Sequence, residues 1–101
     1  MKEIYSGNCP LCGNPAEYQF ADYENRKHFR CANCSEFQIS TRCQFRVAKG
    51  PAEWRSSLAK MARQHPEGAT LVMTVPGGQR DEGVAYSSLS AEYVRNGELP
   101  K

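Results

Sequence analysis

Four cysteines fall in two pairs of one spacing, Cys9-Pro-Leu-Cys12 and Cys31-Ala-Asn-Cys34, with 18 residues between the pairs. A C-x-x-C pair presents two thiols from one tight turn, and two such turns facing each other form a tetrahedral cage of sulfur. Zn²⁺ suits that cage, because it takes four thiolates at about 2.3 Å and imposes no geometry of its own. The spacing is that of four-cysteine zinc sites, so Cys9, Cys12, Cys31 and Cys34 are the expected ligands of one structural zinc ion. Disulfides are the competing use of the same thiols. Met1 to Tyr5 leads straight into the first pair with no apolar secretory stretch, and five cysteines leave one unpaired. The expected compartment is therefore a reducing cytoplasm, where such pairs hold metal or do redox chemistry. A thioredoxin-like use would need a C-x-x-C at a helix start within a βαβ pattern, and that context is missing.

The neighbours of the pairs point to the elements that position them. Gly13 after Cys12 can adopt positive φ, and Pro10 stiffens the same turn. Ser35 occupies the equivalent place after Cys34. Ala16 to Phe20 alternates with a period near two, and Arg26 to Cys31 does so more loosely. The polar residues 22–25 separate these runs, which predicts a hairpin running into the second pair. Glu36 to Ser40 alternates again, with Phe37 and Ile39 on one face. The pattern C-P-x-C-G followed by C-x-x-C-x-x-F-x-I-S resembles small treble-strand zinc ribbons of bacterial and phage proteins. Cys9, Pro10, Cys12, Gly13, Cys31, Cys34, Phe37, Ile39 and Ser40 carry the likeness, and Trp54-Arg55 with Leu58-Ala59 extends it. It covers about the first half of the chain. The resemblance implies a metal-stabilised module whose activity resides elsewhere in a larger protein.

The fold class expected is α+β: a zinc ribbon of short antiparallel strands, then an amphipathic helix, then a C-terminal β-hairpin with a short helix. Residues 1–49 would form the ribbon module and residues 50–101 the segment packed on it, together one compact unit. Twelve Leu, Ile and Val residues in 101 make a modest core, so metal should carry much of the stability. Gly50-Pro51 starts the helix, with Trp54, Leu58, Met61 and Ala62 on one stripe, and His65-Pro66 and Gly68 end it. Core packing is the expected role of the stripe, with Trp54 as a candidate exposed anchor. Ala69 to Val75 reads as a buried strand, Pro76 to Gly83 as a loop, Val84 to Leu89 as the returning strand, and Ala91 to Asn96 as a last helix. Cys43 is expected on a strand as a buried, inert thiol. No stretch is long enough to span a membrane.

Charge is unevenly placed. From Arg26 to Arg63 nine basic residues face two acidic ones, whereas the rest of the chain is net acidic; the whole is +2. Four thiolates with Zn²⁺ would bring it near neutral. A basic face is therefore plausible, whereas uniform attraction to polyanions is not. Arg26, Lys27, Arg30, Arg42, Arg46, Arg55 and Lys60 are its candidates, and DNA or RNA the partner they suit, by counterion release and stacking on unpaired bases. A protein partner is nearly as well supported. Nothing defines a major-groove reading helix.

No enzymatic activity and no small-molecule substrate are expected. A closed four-thiolate site leaves zinc no open position, His28 and His65 have no evident acid or nucleophile beside them, and Gly77-Gly78 lacks the lysine and spacing of a phosphate loop. His28 could replace a cysteine only if one of four thiols were displaced. Cys9-Pro-Leu-Cys12-Gly13 also resembles a rubredoxin knuckle, which implies redox iron; Cys31-Ala-Asn-Cys34-Ser35 departs from that pattern. The expectation is a small zinc-binding, non-enzymatic module associated with nucleic acid, with a protein adaptor or inhibitor as the alternative.

Overall fold

In the computed structural model, residues 3–21, 25–75 and 89–99 are described here. The three alternating runs become strands, joined by one the sequence reading did not foresee. They are β1 (Tyr5–Asn8), β2 (Pro15–Ala21), β3 (Arg26–Cys31) and β4 (Ser35–Ser40), paired antiparallel in order. Two helices follow, α1 (Thr41–Lys49) and α2 (Ala52–Arg63), then β5 (Ala69–Thr74) and β6 (Ser90–Arg95), and a 3₁₀ turn at Asn96–Glu98. Among the described residues, six strands form one sheet in chain order. β5 lies parallel to β4, with Phe37 opposite Leu71, and the two helices make the crossover that a parallel pair requires.

One register row explains the core. Tyr5, Tyr18, Phe29, Phe37, Leu71 and Tyr93 are successive cross-strand partners across the whole sheet. Side chains alternate between faces, so this row and the parallel row of Ile39 and Met73 share one side. Leu58, Ala59 and Ala62 of α2, with Cys43 and Val47 of α1, close over Phe29, Phe37, Ile39, Leu71 and Met73 in one buried cluster. The helical stripe is thus core as expected. Trp54, at its N-terminal end, is half-buried, and any side chain at Gly50 would run into its ring.

Three expectations shift. Cys43, expected on a strand, lies instead in the helix α1 and is a helical core residue. Ser40 caps α1, its hydroxyl accepting from the Cys43 N–H at 3.0 Å, and Cys43, Arg46 and Val47 are buried at helical spacing. Gly50 then bonds back to the Arg46 and Val47 carbonyls, and Pro51 precedes the new helix. The C-terminal hairpin exists, but its return strand is β6, which takes residues expected to be helical; the helical turn follows it at Asn96–Glu98. The loop expected at Pro76 to Gly83 and residues 84–88 of the expected strand lie outside the described residues.

Candidate metal centre

Antiparallel order brings the two cysteine pairs together. The first pair occupies the β1–β2 turn and the second the β3–β4 turn, and both turns lie at the same end of the sheet. The 18 residues between the pairs are the length of chain that runs out along β2 and back along β3. Each knuckle is held by its own backbone. Cys9 N–H donates to the Asn14 carbonyl at 2.7 Å and Gly13 N–H to the Cys9 carbonyl at 2.9 Å, with Gly13 at φ 79°. Ser35 takes the matching left-handed conformation, φ 71°, without being glycine. Its hydroxyl lies 3.1 Å from His65 Nε2, while His65 Nδ1 lies 3.1 Å from the Pro66 carbonyl. A carbonyl can only accept, so Nδ1 carries a proton, and in the neutral ring Ser35 donates to Nε2. That bond ties the second knuckle to the segment after α2.

The four sulfurs all lie within 4.8 Å of one another. Cys9 and Cys34 are 3.9 Å apart and Cys12 and Cys31 3.5 Å. A tetrahedron with metal–sulfur bonds of about 2.3 Å has edges near 3.8 Å, so the cage fits Zn²⁺. Cys9, Cys31 and Cys34 are buried and Cys12 half-buried. The Leu11 N–H and the Asn33 amide point at sulfur, the polar support thiolates need. Without metal the thiols differ. Burial pushes Cys9 up to about 11, against hydrogen bonds that favour its thiolate. Burial raises Cys34 further, with the neighbouring thiols adding to it. Cys12 also feels burial, but hydrogen bonds from the Asn14 backbone and the facing side chains outweigh it and bring the thiol down to about 7. Cys43 is apart from this group, buried in the core, and pushed up to about 12 by burial alone.

His28 is not a ligand. It belongs to the alternate register, facing away from Cys31, with Nδ1 3.2 Å from the Gln38 amide nitrogen and Nε2 3.3 Å from Glu36.

The basic candidates separate. Arg26, Lys27 and Arg30 are on β3, where Lys27 faces the helix side and the two arginines the other; Arg30 also pairs with Glu36 at 3.0 Å. Arg42 is exposed on α1 and Lys60 on α2. Arg46 is only 7 % exposed. Arg55 donates to the Val47 and Gly50 carbonyls at 2.8 and 3.1 Å, which makes it a clamp on the end of α1. The seven do not form one continuous row.

Sequence reasoning missed an aromatic group on β1 and β2. Tyr5 and Tyr18 stack with centroids 5.4 Å apart and planes at 20°, and Phe20 meets both edge-on at 5.5 and 5.8 Å. Lys27 Nζ lies 4.9 Å from the Tyr18 ring centre and 5.9 Å from that of Phe20. The alternation of Tyr18 and Phe20 was legible, but only the pairing of Tyr5 with Tyr18 assembles the group.

No protein-family model, curated protein or solved structure matches the chain. Among the described residues, no helix is long and apolar enough to cross a membrane.

Proposed function

We propose that this is a non-enzymatic zinc-ribbon module that binds single-stranded nucleic acid on the aromatic face of β1–β3. The observation that carries the reading is the Tyr5–Tyr18–Phe20 group with Lys27 over it. Tyr5 is 38 % exposed, and Tyr18 and Phe20 are half-buried. α1 and α2 pack over β4 and β5, so this end of the sheet keeps flat rings within reach of solvent. Unpaired bases stack on such rings with little regard to sequence, and a lysine beside them meets the phosphates. The metal's part is to fix the two turns that hold β1 against β2 and β3 against β4. Four cysteines gathered as metal ligands support placement in a reducing cytoplasm, and the C-P-x-C-G and F-x-I-S elements support kinship with bacterial and phage zinc ribbons.

The test is fluorescence anisotropy of the zinc-loaded chain with labelled single-stranded DNA and RNA of about 10 nucleotides, a length within the site sizes of such surfaces. Tyr5→Ala should weaken binding by about 1–3 kcal/mol, the stacking contribution of one base. Lys27→Glu should lower both affinity and its salt dependence. Full affinity in both variants would overturn the reading. The protein-adaptor alternative has its own observation: Phe45 is 55 % exposed on α1, with Lys49 Nζ 4.1 Å from its ring centre. That alternative expects salt-tolerant binding to a protein, lost in Phe45→Ala and indifferent to Tyr5.

A further inference from the structure

The sheet face turned away from α1 and α2 is not a flat polar surface. It holds a groove of about 460 Å³ lined by Gln19, His28, Gln38, Thr70, Asn96 and Leu99, within the range of small-ligand sites. A face that only met water would leave its polar side chains in it. Here Gln38 is 2 % exposed and Thr70 6 %, at the floor of a concavity. Two accessible primary amides line it from separate elements, Gln19 on β2 and Asn96 after β6, while the Gln38 amide on β4 is buried beneath them. The Thr70 hydroxyl donates to Asn96 Oδ1 at 2.6 Å, which fixes that amide with Nδ2 as its donor end. The Gln38 amide nitrogen and His28 Nδ1 are 3.2 Å apart, and the far side of His28 meets Glu36. Arg30 pairs with the same Glu36 oxygen, so the charged rim compensates itself.

Such a site suits an uncharged, flat ligand with alternating donors and acceptors on its edge. Primary amides carry a donor and an acceptor side by side, the geometry that pairs with the edge of a base, and Leu99 offers an apolar surface for a ring. We infer that the groove binds a single nucleoside through its base. It lies on the opposite face from Tyr5, Tyr18 and Lys27, with Phe20 alone touching both, so Tyr5 and Lys27 are not needed for it.

The experiment is an NMR titration of the zinc-loaded full chain with adenosine, guanosine, cytidine and uridine in turn, and with ribose as control. At least one nucleoside should shift Gln19, His28, Thr70 and Asn96 to saturation and give intermolecular NOEs to the His28 ring and the Thr70 methyl. Gln19→Leu and Asn96→Ala should each weaken that binding by about tenfold, the discrimination of one good base contact. Lys27→Glu should leave it unchanged. Four silent nucleosides, equal shifts from ribose, or NOEs to the Tyr5–Tyr18 face instead would overturn the inference. The wild-type NOEs decide the matter even if a variant fails to fold.

Discussion

Arg55 separates a structural from a functional reading of the basic residues. Its Nη1 donates to the Val47 carbonyl at 2.8 Å and the Gly50 carbonyl at 3.1 Å, at the end of α1 where helix carbonyls lack intrahelical donors. Hydrogen bonds to a charged donor contribute about 1.5–3 kcal/mol each. Arg55 is half-buried, which favours the lower end, and the Val47 carbonyl keeps a longer bond from Gly50 N–H at 3.3 Å. Arg55→Met preserves the packing of the stem and removes both bonds, so the expected loss is about 2–3 kcal/mol. For a domain of this size that corresponds to a fall in Tm of about 8–24 °C. Circular dichroism melts at one fixed excess of zinc would measure it, because bound metal itself shifts Tm. Oligonucleotide affinity at 10 °C, below both transitions, should keep its salt dependence. A phosphate contact would behave oppositely, reducing the salt slope by about one unit with little change in stability. A Tm within about 2 °C of wild type together with a reduced slope would refute the clamp.

Chelating zinc, or Cys9→Ser, should unfold at least β1–β4, because metal binding of roughly 10–16 kcal/mol exceeds what a small core supplies; an unchanged far-UV spectrum after chelation would sink this. Ser35 holds positive φ at a cost of about 1–2 kcal/mol and recovers about 1 kcal/mol through His65. Ser35→Gly should therefore be near neutral and Ser35→Ala destabilising by about 1 kcal/mol, and melts ranking alanine equal to glycine would contradict the argument. Cys43 gives a pH dependence of known sign. Its folded thiol is raised from about 9 to about 12 by burial, so its contribution is intact below pH 9 and lost as pH rises towards 12. Urea unfolding of the zinc-loaded chain at pH 8 and 10.5 should show a smaller alkaline loss for Cys43→Ala than for wild type; equal losses would count against it.

The metal site was legible because its chemistry is local: two thiols on one turn are set by a spacing of three, and only sulfur, proline and glycine are needed to see it. The strands on either side were legible where alternation was clean, in Ala16–Phe20 and Glu36–Ser40, since a half-buried strand has only that one pattern. The helix around Cys43 is hidden in the sequence because Arg46 is polar yet buried, which masks the helical spacing of Cys43, Arg46 and Val47; the Ser40 cap is the available signal. β6 was misread for a related reason. Ser90–Arg95 lies at a sheet edge with one side towards water, so its side chains alternate weakly and only pairing with β5 makes it a strand.

By itself, then, the sequence determined the four thiol ligands, their two knuckles and the core stripe of α2, all properties of residues close along the chain. Tertiary structure decided what lies between distant residues. The parallel register of β4 and β5 carries one row from Tyr5 to Tyr93. Pairing of β1 with β2 gathers the rings beneath Lys27, and strand parity sends His28 to the far face with Gln38, away from the metal. The same packing turns Arg46 inward and commits Arg55 to two carbonyls. A charge counted along the chain says nothing of its solvent or its partners, because burial and hydrogen bonding are fixed only when the sheet and helices close on one another.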